Sequence, residues 1–276
     1  MRYTKALKLA PREFKRMYGV TPETFWEMVK AVRDSKVGSR GSHASIPIPD
    51  QILLTLQYWR EYRTYFHIAQ DWGMHESTAQ RTVKRIEDML IKSGKFRLPS
   101  RRKLWKETEE IEVIAIDVAE TEVERPKKKQ KKYYSGKQRC HTLKLQLLIN
   151  QVTQEIICTA LGVGKQHDFR IFKNSRIKVR QEIQVVADKG YQGIHHHHRN
   201  SKIPYKRPRK SQLSQEQKQY NREQARVRIK VEHVIRLLKV FRILSSRYRN
   251  RRKRFGLRVN LIAGIYNYEL KLAKKF

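Results

Sequence analysis

The spacing of apolar and polar residues divides the chain into a helical first part and a second part that contains strands. Up to residue 98, apolar residues recur at helical spacing and β-rich runs are few. After the basic, proline-containing segment Leu98–Lys103, short apolar runs appear that are typical of strands covered on both faces. The pattern predicts an all-α domain at 1–98 and a mixed α/β domain at 99–276. The predicted strands lie at residues 111–118, 140–149, 155–162 and 183–188.

Two helical patterns near the end of the first domain are separated by a glycine. Apolar residues precede Gly73, and Ala79 and Val83 follow it at helical spacing. This arrangement predicts a helix-turn-helix within about 50–92, with Glu76–Arg85 as the recognition helix. The alternative is a plain three-helix bundle with a solvated polar face. The side chains placed to reach base edges or phosphates are Ser77, Gln80, Arg81 and Lys84.

Charge narrows the class of partner. The chain carries 62 Lys and Arg against 26 Asp and Glu, a formal charge of +36. Such an excess repels itself unless a polyanion neutralises it, and nucleic acid is the favoured polyanion because phosphate contacts supply most non-specific affinity. The longest apolar runs are too short to span a bilayer, and the N-terminus lacks the apolar core of a secretion signal. We expect a cytoplasmic, nucleic-acid-binding protein with no membrane partner.

Two basic segments are candidates for contacts with the DNA backbone. Arg125–Arg139 contains eight basic residues, and no acidic residue occurs between Arg125 and Gln154. A charge run is often only a solvated loop, but this one follows directly on the strand that contains Asp117, which favours a DNA-phosphate arm. Arg247–Phe255 is the second basic segment. The residues assigned to DNA contacts are Lys127, Lys128, Lys129, Arg249, Arg251 and Arg252.

Three acidic residues stand out by their position. Asp117 directly follows four apolar residues, and Asp188 follows the hydrophobic strand 183–188 at its end. In open α/β sheets, sites form at the carboxyl ends of strands, and an unpaired buried charge is too costly to be incidental. Glu232 is the only acidic residue between Glu223 and Glu269, within a long basic amphipathic helix. We expect the three carboxylates to meet at one site.

Each of these carboxylates also has an ordinary structural explanation. Asp117 and Asp188 would suit turns at strand ends, and Glu232 would suit an ion-pair ladder with Arg228 and Arg236. Together, however, three carboxylates on separate elements suit two hard divalent cations such as Mg²⁺. Such a pair activates water and stabilises the leaving oxygen of a phosphodiester. The convergence, more than any one residue, favours a metal-dependent nuclease.

Two other features are alternative candidates for metal ligands. Asp168 begins a predicted helix at 168–179 and is an alternative to Asp188, although an acidic residue there is more typical of a helix cap. The run His195–His198 can bind metal weakly, but its internal position beside Arg199 favours a solvated loop.

Several short motifs carry a resemblance to a known family. They are Ile116-Asp117, Tyr133-Tyr-Ser-Gly-Lys137, His167-Asp-Phe-Arg170, Ala187-Asp-Lys-Gly-Tyr-Gln-Gly193 and Val231-Glu-His-Val-Ile235. With these motifs, residues 110–270 resemble the Asp-Asp-Glu (DDE) transposases of the insertion-sequence-five family, which is related to the Harbinger-type transposases. Residues 50–92 resemble the helix-turn-helix that precedes such domains.

The resemblance implies a fold and a set of site residues. It implies an RNase H-like catalytic domain at 99–276 with basic C-terminal helices, preceded by the helix-turn-helix domain. Asp117, Asp188 and Glu232 would be the catalytic metal ligands, holding two Mg²⁺ ions for which Mn²⁺ can substitute. Arg228 and Lys239 match the family's helical signature and would grip DNA phosphate near the cut, whereas Ala225 stands where that signature has a tyrosine.

The implied activity is cleavage at transposon ends to expose a 3′-hydroxyl, followed by attack of that hydroxyl on target DNA. The implied partners are double-stranded DNA, as terminal inverted repeats and as target, and further copies of the chain in a homodimer or higher synaptic oligomer. The implied location is the nucleoid in the cytoplasm of a prokaryote. Two alternatives remain: a domesticated, non-catalytic DNA-binding protein and a basic RNA-binding or ribosome-associated protein. Only a transposase requires the three carboxylates to converge.

Overall fold

The computed structural model describes residues 2–35, 46–106, 111–208 and 211–274. Its strands are β1 (Val113–Glu122), β2 (Tyr134–Ser135), β3 (Cys140–Asn150), β4 (Ile156–Val163), β5 (Gln184–Val186) and β6 (Ser201–Lys202). Its helices are α1 (Tyr3–Ala6), α2 (Pro11–Tyr18), α3 (Pro22–Asp34), α4 (Ile48–Glu61), α5 (Tyr65–Trp72), α6 (Glu76–Lys92), α7 (Gln130–Tyr133), α8 (Asp168–Ser175), α9 (Gln215–Lys239), α10 (Arg242–Ser245) and α11 (Lys253–Ala273). Short 3₁₀ turns lie at Arg101–Leu104, Lys189–Tyr191 and Ile194–His196.

The chain forms two compact units, a helical unit and a sheet unit. The sheet unit contains Leu98–Leu237 and Arg247–Arg249, and the helical unit contains the residues up to Arg97 with Leu238–Ser246 and the segment from Asn250 onward. The sequence division at 98/99 differs from this arrangement, because it assigned the basic C-terminal helices to the second domain. In the structure, α10 and α11 belong to the helical unit.

Packing explains why α11 joins the helical unit. The helix buries Phe255, Val259 and Ile262. At Gly264 it passes so close to the backbone of Phe96 that an added Cβ would lie 2.1 Å from the Phe96 carbonyl oxygen. A side chain there would overlap backbone atoms, so close contact of α11 with the end of the N-terminal helices depends on this glycine.

A buried ion-pair network reinforces the same contact. Glu87 of α6 has no exposed surface. Its Oε1 accepts hydrogen bonds from Trp59 Nε1 at 3.0 Å and Arg258 Nε at 2.7 Å, and its Oε2 accepts from the Arg254 guanidinium at 2.7 Å. A buried carboxylate requires such pairing, since an uncompensated buried charge is strongly destabilising. The network therefore joins α4, α6 and α11.

The helix-turn-helix lies within the helical unit. The hydroxyl of Thr64 accepts a hydrogen bond from the backbone of His67 at the start of α5, and α5 ends at Gly73 in the left-handed conformation (φ 62°). The His75 side chain then caps the start of α6 by accepting from Ser77 N. The turn between the helices is therefore defined by a left-handed glycine followed by a new cap.

The sheet unit is built on a mixed sheet with the strand order β2-β3-β1-β5-β6, and β4 pairs with β3. The pairs β1–β3 and β3–β4 are antiparallel, whereas β5 is parallel to both β1 and β6. All four predicted strands are present, which confirms the mixed α/β prediction. In the described ranges, every helix is too short or too polar to cross a membrane.

Two boundaries differ from those predicted in ways that matter for the site. The strand predicted to end at residue 118 extends to Glu122, because residues 117–122 pair with Thr142–Leu147 of β3. Asp117 therefore lies within β1 and not at its end. Helix α8 ends at Ser175 instead of 179, since Arg176 adopts the left-handed conformation (φ 51°).

Candidate active site

Asp117 lies within β1, and Asp188 lies two residues beyond the end of the neighbouring parallel strand β5. The last pair of the β1–β5 ladder is Ala115 with Val186, and each aspartate follows two residues later. Asp188 keeps an extended backbone (φ −82°, ψ 179°) and precedes the 3₁₀ turn Lys189–Tyr191. The two aspartates therefore occupy matching positions along β1 and the continuation of β5.

Local backbone hydrogen bonds orient one oxygen of each aspartate. Asp117 Oδ1 accepts from the Val118 N–H at 2.8 Å, and Asp188 Oδ1 accepts from the Gly190 N–H at 2.8 Å. The second bond is the turn expected from Asp-Lys-Gly, so the ordinary structural explanation for Asp188 is also correct. Within the described ranges, no hydrogen bond is made by the second oxygen of either carboxylate.

Burial and neighbouring charge favour the protonated form of Asp117. Burial, the largest cause, raises the pKa of Asp117 to about 6 from 3.8, and the negative charges of Asp188 and Glu232 act in the same direction. The Val118 N–H and the Arg228 guanidinium oppose the rise. The three carboxylates and Arg228 are therefore close enough to influence one another electrostatically.

Glu232 reaches this group from α9. Its side chain is 53% exposed, and its Oε1 accepts a hydrogen bond from Arg228 at 3.2 Å. Of the predicted ion-pair ladder, the pair with Arg228 is present, whereas in the described part of the chain no ion pair joins Glu232 to Arg236. Arg228 is mostly buried, and its Nε has no hydrogen-bond partner among the described residues. This buried, unsatisfied donor belongs to the residue that pairs with Glu232.

The carboxylates fit a hard divalent cation by chemistry and by electrostatics. Among the residues that the structure describes, no three His, Cys, Asp or Glu side chains already stand close enough to hold a metal ion. The negative charge of Asp188 nonetheless raises the pKa of Asp117, and a cation would relieve this repulsion. Glu232, which is 53% exposed and paired with Arg228, acts on the Asp117 pKa in the same direction.

A buried tyrosine lies beside the aspartates. The Tyr191 hydroxyl donates to Gln146 Oε1 at 3.0 Å, and Gln146 Nε2 is buried without a partner in the described chain. Burial, followed by the charges of Asp168, Asp117 and Asp188, raises the pKa of Tyr191 well above its usual value. Tyr191 therefore remains a neutral hydroxyl that packs in the core near the acidic group.

Asp168 is an ion-pair partner and not the expected helix cap. It lies in the first turn of α8, and its Oδ1 accepts from Lys144 Nζ at 2.9 Å. Lys144 also lies 3.6 Å from Glu120 and has a side chain only 9% exposed. An added Cβ on Gly190 would lie 3.0 Å from Asp188 Oδ1 and 3.1 Å from Asp168 Oδ2. The two aspartates therefore flank the same glycine.

Sequence reasoning missed Lys144 and Gln146 as neighbours of the site. Their signal is a polar residue at every second position of an otherwise apolar strand, in Leu143-Lys-Leu-Gln-Leu147. They adjoin the site through their partners, because Lys144 donates to Asp168 and Gln146 accepts from the Tyr191 hydroxyl.

Most of the predicted DNA-contacting residues are accessible, with two exceptions. Arg228 is mostly buried, and Lys239 at the end of α9 is only partly exposed. The exposed residues are Ser77, Gln80, Arg81, Lys84, Lys127, Lys128, Lys129, Arg249, Arg251 and Arg252.

The histidine run differs from the solvated loop that the sequence suggested. His195, His196 and His197 are exposed, but His198 is buried and its Nε2 donates to the Ile183 carbonyl oxygen at 2.7 Å. The last histidine therefore anchors the segment to the residue before β5, because its ring satisfies a buried carbonyl.

Comparison with known proteins identifies the family. Residues 116–267, which include Asp117, Asp188 and Glu232, match the DDE superfamily endonuclease, and residues 44–96 match the helix-turn-helix of that superfamily. The chain is 53% identical over 274 residues to the probable transposase for insertion sequence element IS702 of Microchaete diplosiphon, covering 99% of each chain. It is 25% identical over 235 residues to the putative transposase for insertion sequence element IS112 of Streptomyces albus G, covering 83% of this chain and 84% of the relative. The chain therefore belongs to the DDE superfamily of endonucleases, in the group that carries out DNA transposition.

Proposed function

We propose that this transposase cuts DNA at transposon ends and joins the exposed 3′-hydroxyl to target DNA, as a member of the insertion-sequence-five branch. Asp117, Asp188 and Glu232 are the proposed ligands of two Mg²⁺ ions, for which Mn²⁺ can substitute. The observation that supports this most directly is that the two aspartates follow the last β1–β5 pair at the same interval, with Glu232 near enough to raise the pKa of Asp117.

In this proposal, the backbone holds the aspartates ready to bind. The Val118 and Gly190 N–H groups fix Oδ1 of Asp117 and Asp188, which leaves the second oxygen of each for the cation. When bound, a pair of divalent ions supplies an activated water or hydroxyl and stabilises the leaving oxygen. Arg228, whose Nε lacks a partner in the described chain, donates to a phosphate oxygen beside the cut. Lys239 is the second proposed phosphate contact on α9.

DNA binding is divided between the two units in the same proposal. The exposed polar face of α6, which includes Arg81, reads the terminal inverted repeat in the major groove. The lysine-rich arm and the segment around Arg251 contact the backbone of either DNA. Strand transfer requires two ends to be held together, so we propose a homodimer or a higher synaptic oligomer, working on the nucleoid in a prokaryotic cytoplasm.

The catalytic assignment is tested by replacing each ligand with its uncharged isostere. Asp117→Asn, Asp188→Asn and Glu232→Gln should each lower cleavage of a donor plasmid with Mg²⁺ or Mn²⁺ by at least ~100-fold, since each removes a ligand of the ions. Binding of the same DNA should stay within about 3-fold of wild type, since the assigned DNA contacts are intact.

Glu223→Gln on α9 is the matched control, because it removes an exposed carboxylate from the same helix and should leave cleavage unchanged. Wild-type cleavage in all three ligand variants would contradict the assignment. A wild-type chain that binds DNA but cleaves with neither ion would instead support the domesticated, non-catalytic alternative.

A further inference from the structure

A cavity of about 610 Å³ in the sheet unit has a lining that the proposed metal site does not use. Lys131, Lys137, Lys144 and Lys165 line it, together with Tyr134 and the carboxylate of Asp168. Gly190, two residues after Asp188, also belongs to the lining. We propose that this cavity binds one unpaired nucleotide of a DNA strand, with the phosphate on the lysines and the base on Tyr134.

Backbone contacts of the segment after β4 with α7 and β3 form the cavity in advance of any ligand. Lys165 N donates to the Lys132 carbonyl oxygen at 3.3 Å, and Gly164 N donates to the Thr142 carbonyl oxygen at 3.0 Å. An added Cβ on Gly164 would lie 2.2 Å from the Tyr133 carbonyl oxygen, so this segment approaches α7 where no residue but glycine fits. A preformed pocket binds with less loss of conformational entropy than one that must order on binding.

The lysines divide into one that is neutralised and three that are not. Lys144 lies 2.9 Å from Asp168 and 3.6 Å from Glu120 and is nearly buried. Lys131, Lys137 and Lys165 are exposed, and in the described ranges none of them has a carboxylate partner within 4.0 Å. The lining therefore carries excess positive charge that an anion would neutralise, and phosphate is the anion that DNA supplies.

Tyr134 favours a nucleotide over a bare phosphate. Its side chain is 45% exposed, and its ring meets His141 edge-on with centroids 5.8 Å apart. Exposed aromatic rings beside basic residues are the usual combination in sites for single-stranded nucleic acid, where bases stack on the rings. In duplex DNA the bases are stacked on one another, so only an unpaired base presents its face to a side chain.

The position of the cavity beside Asp188 indicates where along the DNA the bound nucleotide would lie. Asp168 and Gly190 border both this cavity and Asp188. An unpaired nucleotide in the cavity would therefore lie next to the proposed cut, where strand ends are produced. In this respect the inference rests on the proposed function, but binding itself requires no cleavage and can be measured without metal.

The lysines are tested with a fluorescent short thymidine oligonucleotide in EDTA, by anisotropy. The triple variant Lys131→Ala, Lys137→Ala and Lys165→Ala should weaken binding by at least ~10-fold. The control triple Lys178→Ala, Lys202→Ala and Lys218→Ala removes as many exposed charges from the same unit outside the cavity, and should weaken binding by less than about 3-fold. Equal losses in the two triples would overturn the proposal.

The base contact is tested at Tyr134 in the same assay. Tyr134→Ala should weaken binding of the thymidine strand by about 10-fold, whereas Tyr134→Phe should retain it because stacking needs the ring alone. An abasic strand should bind wild type weakly and show no further loss with Tyr134→Ala. Equal binding of abasic and thymidine strands to wild type would overturn the base contact.

A further control separates this proposal from the catalytic one. Asp117→Asn should bind the thymidine strand as wild type does, because the Asp117 side chain does not line the cavity. If Asp117→Asn loses cleavage but still binds the strand, the cavity proposal stands. Loss of strand binding in the lysine and Tyr134 variants would be seen with no metal present, and therefore independently of cleavage. Cooperative thermal unfolding of each variant at or above the wild-type midpoint excludes misfolding as the cause.

Discussion

At the scale of single residues, the pKa of Asp117 shows that the site disfavours a further negative charge before a ligand binds. Burial and two negative neighbours raise the pKa of Asp117 to about 6, against the opposing effects of Val118 N–H and Arg228. The native state thus binds a proton that the unfolded chain has already released above about pH 4. Stability should therefore fall as pH rises from the unfolded pKa toward the folded one.

This linkage predicts the behaviour of Asp117→Asn in metal-free protein. At pH 8 the variant should be more stable than wild type by about 1–3 kcal/mol, because the buried charge is absent. At pH 4, where wild-type Asp117 is protonated in the folded state, the difference should largely disappear. Thermal or urea unfolding in EDTA at the two pH values measures both quantities.

Glu223→Gln provides the comparison, since Glu223 is an exposed carboxylate on α9 and its replacement removes no buried charge. A stabilisation by Asp117→Asn that is the same at pH 4 and pH 8 would contradict the role given to its ionisation.

At the scale of helices and strands, the sequence predicts the presence of an element better than the residues at which it begins and ends. The apolar run before Asp117 was enough to locate β1. Its extension to Glu122 depends on pairing with residues of β3 that lie far along the chain, which local spacing does not encode. The role of Lys144 could not be predicted for the same reason, because only the strand pairing places its ammonium beside the Glu120 carboxylate.

The candidate site was predicted in part for the same reason. Asp117 and Asp188 are recognisable locally, as acidic residues that follow apolar strands. The position of Glu232 relative to them, and the cavity at Lys131 and Lys165, depend on tertiary contacts. The solvated loop predicted at His195–His198 is wrong for His198, because nothing in a run of four histidines indicates that one ring will bond a buried carbonyl.

The buried network of α4, α6 and α11 gives a prediction at this scale. Glu87→Gln should lower the free energy of unfolding by about 3–5 kcal/mol, because it leaves the buried Arg258 guanidinium uncompensated. Chemical denaturation followed by helical circular dichroism measures the loss.

Asp88→Asn is the matched control, since Asp88 is partly exposed and bonds only to the periphery of the same network through Arg254. It should cost no more than about 1 kcal/mol. Comparable losses in Glu87→Gln and Asp88→Asn would show that burial of Glu87 is not what the network depends on.

At the scale of the whole molecule, the charge of +36 makes salt the most informative variable for DNA binding. Each phosphate neutralised releases counterions, so the logarithm of affinity falls linearly with the logarithm of salt concentration. Replacing Lys127, Lys128 and Lys129 with Ala should reduce that slope by about 1–3 on duplex DNA, if the exposed arm contacts backbone phosphates. Filter binding or anisotropy over a salt series measures it.

The triple variant at Lys178, Lys202 and Lys218 lowers the net charge equally and should leave the slope near its wild-type value. A slope unchanged by the loss of Lys127, Lys128 and Lys129 would remove the arm from the set of DNA contacts.

The assembly of the helical unit from distant parts of the chain has a consequence during protein synthesis. Glu87 emerges from the ribosome long before Arg254 and Arg258, its partners on α11. Until residues 253–273 have been translated, Glu87 of α6, the proposed recognition helix, lacks both of these arginine partners. Prematurely terminated products should therefore bind DNA poorly and be degraded, so that abortive fragments do not compete with the finished enzyme for its ends.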